Sequence, residues 1–187
     1  MIVGLGNPGG GYAGTRHNVG FMVAEALQAR WGLGRSRERF RGRISEGRLG
    51  PPERPRVALL CPQTFMNDAG LSVGPARGHY KLALERVLVV HDEIDLPFGE
   101  VRARTGGGLA GHNGLKSIKR ELGSGDFARV RVGVGRPDST DPEVVSAYVL
   151  SRFFEDGGQV DALIERACDE VEGVVQSQEH AASEGGS

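Results

Sequence analysis

Short apolar runs alternate along the chain with longer stretches of helical spacing. Ile2 to Leu5 is apolar and ends in Gly6-Asn7-Pro8-Gly9, which predicts a buried strand feeding a tight turn. From Asn18, suited to an N-cap, to Trp31 the apolar positions Phe21, Met22, Ala24, Ala26 and Leu27 predict a helix that Gly32 stops. Arg39 to Leu49 alternates weakly, with Phe40 and Ile44 as its few apolar members, and predicts a polar edge strand or hairpin. Val57 to Cys61 is a second apolar run, halted by Pro62, and Asn67 to Leu82 has helical spacing broken by Gly70, Gly74 and Pro75. Arg86 to His91 predicts another buried strand, running into the acidic turn Asp92-Glu93-Ile94-Asp95-Leu96-Pro97. A short strand over Val101 to Arg104 precedes Gly106-Gly107-Gly108, and Asn113 to Leu122 follows as a helix. Ala128 to Val134 sets Arg129 and Arg131 against Val130, Val132 and Val134, the period of a strand with one polar face. Val144 to Phe154 and Gln159 to Val175 read as two closing helices, and residues 176–187 hold so few apolar side chains that a disordered tail is expected.

Strands alternating with helices favour a single three-layer α/β domain over residues 1–175, with a mixed twisted β-sheet packed by helices. The 187 residues suit one such domain. In open sheets of this kind ligands sit beyond the carboxyl ends of the strands, which selects the loops Asn7 to His17, Pro62 to Asn67 and His91 to Leu96. No apolar run approaches the roughly 20 residues of a membrane helix, and Met1 leads straight into Ile2-Val3 with no basic or apolar leader, so a cytoplasmic address is expected. Cys61 and Cys168 are isolated in apolar sequence and read as buried thiols.

A net charge of −1 hides a strong asymmetry: residues 1–136 carry 21 basic and 12 acidic side chains, residues 137–187 carry 2 and 12. Two solvated faces of opposite sign, or a basic surface for a polyanion, would both produce it. Twenty of the basic residues are arginine, nine of them between Arg30 and Arg56, and the planar guanidinium suits phosphate.

Gly4-Leu5-Gly6-Asn7-Pro8-Gly9 formally matches a dinucleotide-binding fingerprint, but Pro8 and the following glycines postpone the next helix to about Asn18, and no acid lies about 20 residues on to hold a ribose. No nicotinamide or flavin cofactor is expected. His91, Glu93 and Asp95 face one way on an extended strand and Asp92 the other, and no second histidine pair occurs, so no metal is expected either. There is no G-x-S-x-G elbow, and Cys61 lies inside a strand, which argues against a covalent nucleophile. What remains is His17, with Asp92 at the end of a strand and Asn7, Asn67 and Asn113 at strand exits or helix starts. A histidine held by a carboxylate makes a general base for water, and amides add donors for a developing oxyanion. A lone histidine at a helix start, and asparagines as helix caps, are the alternative uses of the same residues.

The blocks Val3-Gly-Leu-Gly-Asn-Pro-Gly9, Tyr12, Thr15-Arg-His-Asn-Val-Gly-Phe21, Pro62-Gln-Thr-Phe-Met-Asn67, His91-Asp-Glu-Ile-Asp-Leu-Pro97, Gly111-His-Asn-Gly-Leu115 and Arg131-Val-Gly-Val-Gly-Arg-Pro137 closely resemble bacterial peptidyl-tRNA hydrolase. The resemblance implies an α/β domain that hydrolyses the ester between a peptide and the tRNA 3′ adenosine without metal or cofactor. It implies His17 as general base, Asp92 as the carboxylate that orients it, and Asn7 as the amide that favours N-blocked peptidyl esters. Tyr12, Phe65, Met66, Asn67, His112 and Asn113 would hold the peptide and the 3′ CCA end, and Arg104 and Arg129 a phosphate of the acceptor stem. A monomer acting on peptidyl-tRNA is the implied working form. A catalytically silent RNA-binding relative is the alternative, against which the retained His17, Asn7 and Asp92 speak.

Overall fold

Each apolar run becomes a strand, and among the described residues, 1–49 and 56–184 of this computed structural model, seven strands form one sheet. They are β1 (Ile2–Gly4), β2 (Arg37–Arg39), β3 (Gly42–Arg48), β4 (Arg56–Pro62), β5 (Leu88–Glu93), β6 (Val101–Thr105) and β7 (Ala128–Gly133). Their order is β2-β3-β4-β1-β5-β7-β6. The buried centre pairs in parallel, β1 with β4 and β5, and β5 with β7, while the outer pairs are antiparallel. The sheet is mixed, as expected, because the hairpins at its margins need no crossover.

Helices α1 (Val19–Arg30) and α5 (Gly157–Glu184) cover one face, burying Val23, Leu27, Leu163 and Val171 against Leu88, Val90 and Val132. Helices α2 (Gly70–Tyr80) and α3 (Asn113–Leu122) cover the other, where Val73, Leu115 and Ile118 meet Val3, Leu60 and Val89. A Cβ on Gly20, in the first turn of α1, would strike the backbone of Leu5 and Val90, so only glycine lets α1 approach the two central strands. Both cysteines are free and buried, and burial pushes the Cys61 thiol up to about 12. No helix among the described residues is long and apolar enough to cross a membrane.

Two boundaries differ from the sequence pattern. The helix expected over Val144 to Phe154 is α4 (Pro142–Val149), capped by Asp141. It stops early because Arg16 N–H bonds to Ser151 O (3.1 Å) and Thr15 bridges Arg152. The tail expected from residue 176 is instead helical to Glu184; residues 185–187 lie outside the described residues. Polar composition conceals this extension, which is tied down by Gln178 donating to Glu85 O (2.8 Å) and Arg86 donating to Gln178 O (3.4 Å). The Arg-rich segment is a hairpin, one of its two expected forms, made of β2 and β3, and its two turn residues, Phe40 (φ 53°) and Arg41 (φ 51°), are both left-handed. Such turns favour Asn-Gly, and a side chain there costs about 1–2 kcal/mol.

Candidate active site

The carboxyl ends of β1, β4 and β5 deliver three loops to one cleft of about 750 Å³, whose walls include Asn7, Tyr12, His17, Phe65, Met66, Asn67, Asp92, His112 and Asn113. Every residue singled out from sequence except Arg104 and Arg129 therefore meets here. Another wall is α4, through Val145, Ser146 and Val149, with Leu150 just after it.

His17 sits in a 3-10 turn, Arg16–Asn18, that leads into α1. Its Nδ1 lies 2.9 Å from both carboxylate oxygens of Asp92, which is only 3% exposed, while the ring itself is 12% exposed at the cleft. A carboxylate accepts, so Nδ1 carries the proton and Nε2 is left with its lone pair. Burial lowers the His17 pKa, but the charge and hydrogen bond of Asp92 outweigh it and hold the value above that of an ordinary histidine. Asp92 is desolvated, yet His17 and His112 together hold its carboxyl well below the usual carboxylate range.

His112 is the other partner of Asp92, with Nε2 to Oδ1 at 2.9 Å. It also N-caps α3, its Nδ1 accepting from Leu115 N–H (3.3 Å), which places its proton on Nε2. His17, Asp92 and His112 bring ligand-type atoms within 4.8 Å of one another. Both ring nitrogens facing the carboxylate carry protons in this bonding pattern, so the cluster is a hydrogen-bonded network and not a ready ligand set. A third ring, His91, is 1% exposed and donates from Nδ1 to Asp92 O (2.7 Å); burial and the neighbouring His112 lower its pKa to about 3, keeping it neutral.

Asn7 is oriented from both sides. Asn18 grips its backbone, accepting from Asn7 N–H and donating to Asn7 O, each at 2.9 Å, and Asn7 Oδ1 accepts from Met66 N–H at 2.8 Å. With its oxygen occupied, Asn7 presents its Nδ2 donors to the cleft. Asn67 and Asn113 are exposed on its walls, and because His112 supplies the α3 cap the Asn113 amide is not consumed in capping. Phe65 is 58% exposed and meets Tyr12 edge-on at 6.5 Å.

The two arginines behave differently from each other. Arg104 is exposed on edge strand β6, its guanidinium folded over Gly107. Arg129 is 1% exposed and spent on carbonyls, with Nη1 to Gly108 O at 3.0 Å and Nη2 to Gly106 O. This corrects its expected contact with phosphate: the polar face of β7 is roofed by the glycine loop and not by solvent. Arg129 braces the segment 106–111, where Gly106, Gly107, Ala110 and Gly111 have positive φ, and this segment delivers His112 and Asn113.

Sequence reasoning passed over Arg16 and Lys116, and it took Asn18 for a helix cap, whereas the Asn18 side chain makes no cap bond and holds Asn7 instead. Arg16 is fully buried, bonding Ser151 (2.9 Å), Glu155 (3.1 Å) and Arg152 O, with its guanidinium over the rings of Tyr148, Phe153 and Phe154. It ties the turn carrying His17 to the segment that follows α4. Lys116 lines the cleft one helical turn beyond Asn113, a spacing that could have revealed it.

A family model described as peptidyl-tRNA hydrolase matches residues 1–185. A peptidyl-tRNA hydrolase of Paracoccus denitrificans is 53% identical over 153 residues, 82% of this chain and 63% of that protein's length. One of Geotalea daltonii is 48% identical over 173 residues, covering 92% of this chain and 87% of its own. The crystal structure of peptidyl-tRNA hydrolase from Acinetobacter baumannii superposes with a TM-score of 0.83 at 39% identity, over 97% of this chain and 90% of that one.

Proposed function

The chain belongs to the peptidyl-tRNA hydrolase family, and from that premise we propose that it hydrolyses the ester joining a peptide to the 3′ adenosine of tRNA, with water activated by His17. One observation carries the mechanism: Asp92 holds the His17 Nδ1 proton at 2.9 Å, which turns the Nε2 lone pair toward the same cleft as the free amide of Asn7. Nε2 takes a proton from water as the hydroxide attacks the ester carbonyl, and Asp92 stabilises the imidazolium. The ribose oxygen leaves with the returned proton, freeing peptide and tRNA. No cofactor enters these steps.

Asn7 Nδ2 would donate to a backbone carbonyl of an N-blocked peptide, which a free α-ammonium cannot replace. Phe65 and Tyr12 offer apolar surface to the peptide, and Asn67, His112 and Asn113 polar groups to the CCA end. Arg104, exposed beside the glycine loop, is assigned to an acceptor-stem phosphate. Since peptidyl-tRNA arises where ribosomes work, the cytoplasm is the proposed location and a monomer the proposed form.

Release of peptide from N-acetyl-aminoacyl-tRNA tests this reading. The parent should cleave it well ahead of free aminoacyl-tRNA, His17→Ala should lose about 10²–10⁴ in rate, and Asn7→Ala should erode the preference for the blocked ester. An active His17→Ala variant would sink the mechanism.

A further inference from the structure

The β2–β3 hairpin holds the one strained pair of neighbours among the described residues, Phe40 and Arg41, and the domain's own packing explains only half of it. Phe40 is half-buried against Tyr80 (6.1 Å) and His79 (5.2 Å), contacts a glycine could not make. Arg41 is exposed and its side chain has no partner among the described residues, yet it occupies a left-handed position that glycine or asparagine would take without strain. A residue kept against its backbone preference, with no structural return, points to a use outside the fold.

Its surroundings indicate what that use is. Arg39 stacks its guanidinium on Phe40 at 4.6 Å and donates to His79 Nε2 at 3.2 Å, so a second cation stands pre-set beside Arg41 without an acidic partner. The flanking cations Arg37 and Arg43 are neutralised, by Glu46 and Glu25. Gly42 pairs with Pro62 at the carboxyl end of β4, and Gln63 N–H donates to Arg41 O at 2.8 Å, two residues before Phe65. The hairpin tip thus lies on the cleft end of the sheet, beyond the Phe65 wall.

We propose that Arg39 and Arg41 form a second RNA contact, gripping backbone phosphates of the tRNA whose 3′ end occupies the cleft. This rests on the proposed substrate being a tRNA. A planar guanidinium stacked on an aromatic ring, as Arg39 is, suits phosphate oxygens, and the turn holds the backbone of Arg41 two residues away.

Binding of deacylated tRNA across a salt series tests the contact, with melting measured on each variant. Arg41→Gly relieves the backbone, so its Tm should equal or exceed the parent's while tRNA affinity falls. One phosphate contact with a slope of about 0.7–0.9 corresponds to about five- to eightfold at 0.1 M salt relative to 1 M, and its loss should lower the slope by about one. Arg39→Gln should act similarly, and Arg41→Lys, with the charge kept at the same backbone position, should retain most of the affinity. Unchanged affinity and slope in Arg41→Gly would overturn the proposal, as would a loss in Arg41→Lys equal to that in Arg41→Gly. Hydrolysis by the parent, run alongside, separates the two readings. An inactive parent overturns the proposed function, whereas an active parent whose tRNA affinity is indifferent to Arg41 overturns the hairpin contact alone.

Discussion

Replacing Asp92 by asparagine keeps the shape of the site and removes its central charge. His17 Nδ1 then faces an amide in place of two carboxylate oxygens at 2.9 Å, and a hydrogen bond to a charged group in a buried site contributes about 1.5–3 kcal/mol. At 1.36 kcal/mol per decade, Asp92→Asn should lower the plateau of kcat/KM by about 10- to 150-fold, less than His17→Ala. The pH dependence is the sharper measure. In the parent the acid limb should lie above the ordinary histidine value of about 6.5, because Asp92 raises the His17 pKa and the base must be neutral to act. Without the carboxylate, burial acts unopposed and the limb should move below 6.5, so the variant's deficit is largest at pH 8 and shrinks toward pH 5.5. A full profile of N-acetyl-aminoacyl-tRNA cleavage for both proteins decides the matter. A lowered plateau with an unmoved limb would refute the reasoning, since Asp92 would then support the fold without tuning the base.

Arg16→Met should destabilise the chain by about 3 kcal/mol, because it removes the fully buried cation that holds half-buried Glu155; an unfolding free energy from urea titration within 1 kcal/mol of the parent's would contradict that. Arg129→Met should speed amide exchange in residues 106–112 and reduce kcat, since the loop bearing His112 loses its brace; unchanged exchange there would remove Arg129 from that role. His91→Gln bears on stability against pH. The His91 pKa is lowered from 6.5 to about 3, so the stability linked to its neutral form is complete above pH 6.5 and declines as pH falls. The decline is at most about 1.4 kcal/mol per pH unit, and it should be shallower in the variant across denaturant midpoints from pH 7 to 5.

The strands and the cleft were legible because each apolar run is bounded by a glycine, proline or polar break and each chemical residue lies at a strand exit. Asn7 and His17 share one loop and Asp92 lies 75 residues beyond His17, but all three sit at one end of a parallel centre, so fold class brings them together. Arginine was where the reading failed. In an alternating strand Arg129 looks the same whether water or a loop covers it, and only the distant glycines decide which. Arg16 reads as one more cation beside His17, since the three rings that enclose it come from residues 148–154. The last turns of α5 were missed because their hold is polar, through Gln178, and composition registers only apolar burial.

The sheet's two outermost strands bear on how the protein keeps to itself. An unpaired edge offers a row of backbone donors and acceptors to any other strand. Here β2 is Arg37-Glu38-Arg39, all exposed, and β6 presents Arg102 and Arg104. A second copy adding a strand to its own kind would set like charges side by side at either margin. The central strands, rich in valine and leucine, form the adhesive part of the sequence, and they are flanked on both sides by arginine. The same side chains that read as a polyanion surface therefore also act as gatekeepers against aggregation, so neutralising them to study RNA contacts should be paired with a check on solubility.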